Sequence, residues 1–223
     1  MKIFLDTANL EDIEDGLRRG FPRGITTNPS ILSKERKTDF SAHIQKIIDL
    51  LIKYDYDIPL SVEVFSADPK EMIAQAEQFV HSFGHYSNLN VKIPIGWNEL
   101  QVIRELRNRG VNVNCAACMS FNQAAMDALA GANFVSLFYG RIRDGGDNPE
   151  QIVRQVHAVF KEWNIPSEII VGSVRQPGDV AEAFQAGADI VTIQPKFFKQ
   201  MVSHPKTDEV VNQFITDFKN WLS

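Results

Sequence analysis

The chain contains 223 residues, of which 44% are hydrophobic and 23% are charged, a balance that excludes a disordered or fibrous protein. The formal net charge of −5 argues against a general nucleic-acid-binding or anionic-membrane-binding surface. No apolar run approaches the ~20 residues that span a bilayer. The carboxylate of Asp6 comes too early for a secretory signal, and two cysteines cannot staple a fold of this size, so we expect a cytoplasmic protein.

Short apolar, β-branched runs alternate with amphipathic stretches along the chain. The apolar runs predict strands at Ile3–Leu5, Gly24–Thr26, Leu60–Val64, Asn90–Ile93, Asn112–Cys115, Phe134–Phe138, Ile169–Gly172 and Ile190–Ile193. The amphipathic stretches predict helices at Leu10–Arg19, Ser41–Lys53, Lys70–Phe83, Glu99–Arg109, Gln123–Ala130, Glu150–Trp163 and Asp179–Ala186. Most of these strands are continuously apolar, which is typical of parallel strands covered on both faces.

This alternation predicts an α/β fold, a (β/α)8 TIM barrel. The alternative is a doubly wound open sheet. It requires a glycine-rich phosphate turn after the first strand, where this chain has Asp6-Thr7-Ala8-Asn9. No linker-like stretch divides the sequence, so we expect residues 1–223 to form a single domain.

Two further helical patterns follow the eighth strand, at Lys196–Ser203 and Asp208–Trp221. The second, a C-terminal helix over about residues 207–222, carries one apolar stripe, formed by Val210, Val211, Phe214, Ile215, Phe218 and Trp221. A barrel already has its eight helices. The stripe therefore needs another surface, either its own barrel or a neighbouring subunit.

The active site of a (β/α)8 barrel lies at the carboxyl ends of the strands. Nine polar residues stand at or just after those ends: Asp6, Asn28, Glu63, Lys92, Asn114, Ser136, Arg141, Ser173 and Arg175. They suggest two kinds of chemistry, an amine among carboxylates and a clamp for an oxyanion.

Lys92 lies in the apolar run Val91-Lys92-Ile93-Pro94 and is expected to face the barrel interior. Burial disfavours an ammonium group and makes the free amine available as a nucleophile. With Asp6 and Glu63 at the same mouth to move protons, the pattern favours Schiff-base chemistry on a carbonyl substrate. The alternative is a buried Lys–Glu pair that only satisfies charge.

Arg141, Ser173 and Arg175 follow strands 6 and 7, near the place where barrel enzymes frequently bind phosphate. Two guanidinium groups and a hydroxyl suit a tetrahedral oxyanion. The alternative is that the arginines are ordinary surface residues.

Other residues with chemical potential form weaker patterns. Cys115 and Cys118 have the C-x-x-C spacing of a redox pair but lack the surrounding motif. The five histidines are scattered, and His81 and His85, four residues apart, have no acidic or cysteine partner in sequence. We therefore predict no metal site and no cofactor.

Several blocks of the sequence resemble the short transaldolase family, which includes the fructose-6-phosphate aldolases. These blocks are Phe4-Leu5-Asp6-Thr7-Ala8-Asn9, Gly24-Ile25-Thr26-Thr27-Asn28-Pro29-Ser30, Val91-Lys92-Ile93-Pro94, Phe134-Val135-Ser136-Leu137-Phe138-Tyr139-Gly140-Arg141-Ile142 and His204-Pro205-Lys206-Thr207-Asp208. The resemblance implies a class I transaldolase that transfers a dihydroxyacetone unit between a ketose phosphate and an aldose phosphate.

The resemblance also implies roles for individual residues. Lys92 would form the Schiff base, Asp6 would be the acid/base for carbon–carbon cleavage, and Glu63 would activate a water. The dihydroxyacetone part would be bound by Asn28, Asn114 and Ser136, and the terminal phosphate by Arg141, Ser173 and Arg175. The resemblance further implies a homo-pentamer or homo-decamer with a sugar-phosphate substrate, and no nucleic-acid or membrane partner.

Two positions separate the subtypes of this family. The aldolase branch tends to carry Gln in place of Glu63 and Tyr in place of Phe138, a substrate-site residue, so both positions indicate transaldolase. The departure from the family pattern that matters most is Ala116, which stands where a threonine usually holds the catalytic water, and a smaller one is Gln194, where the family often has proline. The alternatives are an aldolase that releases dihydroxyacetone, a transaldolase for a sulfosugar or other anionic ketose, and a sugar-phosphate-binding protein without turnover.

Overall fold

The barrel closes from eight parallel strands. A computed structural model describes residues 1–222 of the chain. The strands are β1 Lys2–Asp6, β2 Ile25–Thr26, β3 Leu60–Glu63, β4 Leu89–Pro94, β5 Asn112–Cys118, β6 Phe134–Phe138, β7 Glu168–Gly172 and β8 Ile190–Ile193. They pair in chain order, and β8 pairs with β1, which closes the sheet. The prediction of a (β/α)8 TIM barrel is therefore confirmed, and the open-sheet alternative is wrong.

Helices surround the barrel and follow the strands along the chain. They are α1 Leu10–Arg19, α2 Pro29–Leu32, α3 Phe40–Lys53, α4 Pro69–Phe83, α5 Glu99–Asn108, α6 Phe121–Ala130, α7 Tyr139–Asp144, α8 Pro149–Glu162, α9 Pro177–Gln185, α10 Phe198–Val202 and α11 Pro205–Leu222, with a 3₁₀ turn at Pro195–Phe197. None of the helices within residues 1–222 is both long and apolar enough to cross a membrane.

The structure differs from the sequence-based expectation in a few elements. The short helices α2 and α7 follow β2 and β6, where no helix was expected, because each is too short to show an amphipathic period. The stretch from Lys196 to Ser203 is a 3₁₀ turn followed by α10 rather than one helix. Strand β5 continues three residues further, to Cys118, through a register shift.

The strands are covered on both faces, but the two coverings differ in chemistry. Side chains such as Val62, Val91 and Val135 belong to the large apolar cluster that joins the sheet to the helices. Positions on the opposite face form the barrel interior, because successive side chains of a strand alternate between faces. A separate cluster of Phe4, Phe134, Ile170 and Ile190 fills one level of this interior.

One glycine makes room for that apolar level. A Cβ atom at Gly24 would lie 2.4 Å from ring atoms of Phe4, so any other residue at this position would displace the ring. The Phe4 and Phe134 rings meet edge to face, with their centroids 6.2 Å apart. Beyond this apolar level, toward the carboxyl ends of the strands, β1 reaches Asp6 and β6 reaches Ser136, and the side chains of the interior are polar.

Helix α11 buries none of its residues against the rest of the described chain, residues 1–222. Its 18 residues are all exposed, including Phe214 and Trp221, which are 66% and 78% exposed. The fold thus contradicts the alternative that the apolar stripe packs on its own barrel, and the stripe remains uncovered within the single chain.

Candidate active site

The Lys92 ammonium is the buried charge at the centre of the barrel interior. Its side chain is 5% exposed, and its Nζ lies 2.9 Å from Glu63 Oε2. Nζ also donates to the backbone oxygen of Thr27 at 3.0 Å. Strand register produces this contact, because Glu63 pairs with Lys92 and Lys92 pairs with Asn114 across β3, β4 and β5.

Asp6 lies on the other side of the same interior. Its Oδ1 accepts a hydrogen bond from Thr26 Oγ1 at 2.8 Å, and the Thr26 and Thr192 hydroxyl oxygens are 2.5 Å apart. Burial raises the pKa of the Asp6 carboxyl above its usual range, while the charge of Lys92 and the Thr26 hydrogen bond oppose that rise. Asp6 is therefore a carboxylate close to an amine, with its basicity increased by desolvation.

Asp6 also lines a groove that leads to the exterior. The groove has a volume of about 1310 Å³ and is lined near Asp6 by Thr7, Asn9, Lys34 and Gln194. Most of its remaining lining comes from α1 and from residues 195–202, on the outer side of β1, so the groove reaches Asp6 at one end only.

Asn114 and Ser136 form a hydrogen-bonded row beside Lys92. Asn114 Nδ2 donates to Ser61 Oγ at 3.1 Å, and Asn114 Oδ1 accepts from Ser136 Oγ at 2.6 Å. All three side chains are buried. Because each group is held by its neighbour, the row is preorganised toward hydroxyl groups of a ligand.

Asn28 and Phe138 stand at the ends of β2 and β6. Asn28 caps α2, since its Oδ1 accepts from the backbone N–H of Ile31 at 2.9 Å. This leaves the Nδ2 amide of Asn28 as the donor available to a ligand. Both residues are half-buried, as expected for side chains at a mouth.

The three residues predicted to bind an anion lie at the rim over β6 and β7. Ser173 adopts a left-handed conformation with φ 58°, and its backbone oxygen accepts from Gly140 N at 3.1 Å. A Cβ at Gly140 would lie 2.6 Å from Arg175 Nε, so the glycine allows the Arg175 side chain to cross α7. Arg175 pairs with Asp144 at 2.6 Å. Arg141 is exposed and has no ion pair within residues 1–222.

Asp179 fixes the loop that carries Arg175. It is fully buried, and its Oδ2 accepts from the backbone N–H of Arg175 at 2.9 Å. Its Oδ1 accepts from Arg143 Nη2 at 2.9 Å and from Gln176 Nε2 at 3.2 Å. The loop after β7 is thus held in place by hydrogen bonds to the Asp179 carboxylate.

Four groups of the interior were not predicted from the sequence: the side chains of Thr26, Ser61 and Thr192, and the backbone oxygen of Thr27. Thr26 and Ser61 pair across β2 and β3, and Thr26 pairs with Asp6. Ser61 could have been predicted, because it lies two residues before Glu63 and the side chains of a strand that face the interior recur at every second residue. The Thr27 oxygen belongs to the backbone and leaves no such signal.

Comparisons with known proteins show the family to which the chain belongs. A family model described as transaldolase/fructose-6-phosphate aldolase matches residues 3–222. A protein of Dehalococcoides mccartyi named probable transaldolase is 39% identical over 99% of both chains. A protein of Listeria monocytogenes named probable transaldolase 1 is 40% identical over 98% of both chains, and a probable transaldolase of Thermoplasma volcanium is 39% identical over 98% of this chain and 96% of its own. These matches identify an enzyme of the transaldolase type.

Removing the Asp179 carboxylate is expected to destabilise the protein. Asp179→Ala leaves the partly buried backbone N–H of Arg175 without its acceptor, which costs roughly 1–3 kcal/mol in the free energy of unfolding. Asp144→Ala is the matched control, because it removes the exposed partner of Arg175 and should cost about 0–1 kcal/mol. Urea unfolding measures both. Equal losses in the two variants would contradict a special role for the buried carboxylate.

Proposed function

The chain belongs to the transaldolase/fructose-6-phosphate aldolase family, and on that premise we propose that it transfers a dihydroxyacetone unit from a ketose phosphate to an aldose phosphate through a Schiff base on Lys92. The donor would be fructose 6-phosphate or a close relative. The observation that carries the proposal is the buried Lys92 ammonium, held 2.9 Å from the Glu63 carboxylate.

The pair of Lys92 and Glu63 supports the imine step. Glu63 takes a proton from the Lys92 ammonium, and the neutral amine adds to the ketone carbon of the substrate. The resulting carbinolamine loses its hydroxyl as water, which carries away the proton held by Glu63, and an iminium remains. Hydrolysis at the end of the cycle is the reverse of this step. Ala116, fully buried on β5, offers no hydroxyl to hold the water.

Asp6 supports the carbon–carbon step. Its carboxylate takes the proton of the substrate hydroxyl next to the bond that breaks, and the electron pair of that bond passes into the iminium to give an enamine and a free aldehyde. When the acceptor aldehyde arrives, the enamine carbon attacks its carbonyl carbon and Asp6 returns the proton. A carboxyl whose pKa is raised by burial suits a group that takes and returns a proton.

The remaining polar groups support substrate binding. Asn114, Ser136 and Asn28 would bind the hydroxyl groups of the dihydroxyacetone part, beside the ring of Phe138. Arg141, Ser173 and Arg175 would bind the distal anion at the rim. Glu63 and Phe138 favour transfer over release of free dihydroxyacetone, since the aldolase branch of the family tends to carry Gln and Tyr there.

We also propose that α11 packs on a second copy of the chain, in a homo-pentamer or homo-decamer. Its stripe of Val210, Val211, Phe214, Ile215, Phe218 and Trp221 is exposed in the single chain, and a contiguous exposed apolar patch is typical of a protein–protein interface. An isolated helix of 18 residues is also marginally stable unless its apolar face is covered.

The Lys92 proposal is tested by borohydride trapping with fructose 6-phosphate, followed by peptide mass spectrometry. The native chain should gain one dihydroxyacetone-derived group on Lys92. Lys92→Arg keeps a positive charge beside Glu63 but forms no imine, and it should gain none. Lys34→Arg, at an exposed lysine of the same groove, should trap normally. Trapping that persists in Lys92→Arg would overturn the proposal.

Substitution of Asp6 should separate imine formation from carbon–carbon cleavage. Asp6→Asn cannot accept the hydroxyl proton, so turnover should fall by ~10²-fold or more. Lys92 should still be trapped by borohydride. In the native enzyme, the raised pKa of Asp6 should place the acidic limb of the kcat/KM profile above pH 3.8, with activity lost as the pH falls and Asp6 becomes protonated. Exposed Asp12→Asn is the control, and near-normal turnover of Asp6→Asn would remove Asp6 from the mechanism.

Removal of Arg141 should weaken binding of the anionic end of the substrate. Losing one charge-assisted contact costs roughly 1.5–3 kcal/mol, so Arg141→Ala should raise KM for fructose 6-phosphate about 10- to 100-fold. Trapping of dihydroxyacetone alone should not change. Arg154→Ala, an exposed arginine on α8, is the control. A sulfonated ketose in parallel assays distinguishes the two anions, and equal effects on anionic and neutral substrates would make Arg141 structural.

Truncation after Lys206 should lower the molar mass of the assembly measured by light scattering, because it removes most of α11. Phe214→Glu is a gentler variant that places a charge within the stripe and should have the same effect. Asn212→Glu, a polar position on the same helix, serves as the control. An unchanged molar mass in both test variants would show that α11 is not an interface.

A further inference from the structure

A second polar cluster lies outside the barrel interior, between β5 and α6. Cys115 and Cys118 belong to β5 and Asp127 belongs to α6, and all three are fully buried. Their sulfur and carboxylate oxygen atoms lie within 4.8 Å of one another. The two cysteines are free thiols. This cluster takes no part in the proposed transfer reaction.

An irregularity in β5 creates the cluster. Residues three apart on a regular strand point to opposite faces of the sheet. Here Cys115 pairs with Val135 and Cys118 pairs with Leu137, so three steps on β5 match two steps on β6. Ala117, in the left-handed region with φ 60°, is part of this bulge. The extra residue turns both sulfur atoms to the helix side of the sheet.

Asp127 has no cationic partner within residues 1–222, and the polar side chains beside it are the thiols of Cys115 and Cys118. Its two oxygens are the buried side-chain atoms that lack a hydrogen bond within residues 1–222. Its helix neighbours on the buried face are Ala124 and Ala128, which offer no donor. An unpaired buried carboxyl costs free energy that a cation would recover.

We propose that Cys115, Cys118 and Asp127 bind one thiophilic divalent cation of the zinc type. Two thiolates and a carboxylate are ligands that zinc accepts, and a tetrahedral zinc places such atoms roughly 3.5–3.8 Å apart. Small side-chain rotations within the 4.8 Å cluster reach that spacing. Binding releases the two thiol protons and any proton on the carboxyl. Three protein ligands leave a fourth position for a water molecule.

The cluster favours a cation over a disulfide between the same cysteines. A disulfide would need an external oxidant, and it would leave both oxygens of Asp127 as they are. A cation uses all three residues. It would also tie α6 to β5, the strand whose inward face carries Asn114, so that the site would stiffen one wall of the active centre without entering it.

The test uses the full-length chain, reduced, treated with a chelator and then incubated with zinc chloride or cobalt chloride. After desalting, elemental analysis should find one zinc per chain, and cobalt should give a sulfur-to-metal charge-transfer band. The midpoint of thermal unfolding should rise with zinc concentration and return when chelator is added.

Three variants make the assignment specific. Asp127→Ala should fold, since it removes an unpaired group, but it should retain no zinc. Asp127→Asn preserves the side-chain volume and should also fold without retaining zinc. Cys118→Val should lose the cobalt band. The double variant His81→Ala, His85→Ala controls for surface histidines and should bind normally. Absence of stoichiometric zinc, retention of zinc by both Asp127 variants, or a chain two hydrogens lighter through a disulfide would each overturn the proposal.

Discussion

The buried ion pair between Lys92 and Glu63 is the constraint on which the rest of the interior depends. An ammonium at 5% exposure is tolerable only with close acceptors, and the barrel provides Glu63 Oε2 and the Thr27 oxygen. These acceptors come from β3 and from the residue after β2, so the charge is retained through the pairing of β2, β3 and β4. The chemistry we propose for Lys92 draws on the same contact, because the carboxylate that stabilises the ammonium can also take its proton.

The barrel interior has two levels, an apolar one that contributes stability and a polar one that carries the proposed chemistry. The plug of Phe4, Phe134, Ile170 and Ile190 closes one end, and the polar groups above it are hydrogen-bonded to each other. The rim is organised differently, because Asp179 fixes the loop after β7 while Arg141 makes no ion pair within the described chain. The rigid interior suits a site that holds one end of a ligand firmly. The exposed guanidinium group of Arg141 at the rim suits selection of the other end by its charge.

The candidate site followed from the sequence where a residue combined an unusual chemical type with a strand end. Lys92 is a charged residue within an apolar run, and Asp6 and Glu63 stand at the carboxyl ends of strands. Once the fold is predicted to be a barrel, these three residues are expected to lie at the same mouth. The supporting hydroxyls of Thr26 and Thr192 were not predicted, because a threonine in a β-branched run has the composition of an ordinary strand. The expectation of no metal site rested on the scattered histidines, and the proximity of Asp127 to the two cysteines is visible only in the folded chain.

The sequence by itself determined the order and number of the strands and the order of the longer helices, since periodicity and strand length are local properties, whereas the short helices α2 and α7 left no such signal. It also determined that α11 carries an apolar stripe. Only the tertiary structure decided which groups touch: the closure of β8 on β1, the Thr27 oxygen on Lys92, and the bulge that turns Cys115 and Cys118 to one face. These outcomes depend on register between strands distant in sequence, and a one-residue shift in register moves a side chain to the other face of the sheet.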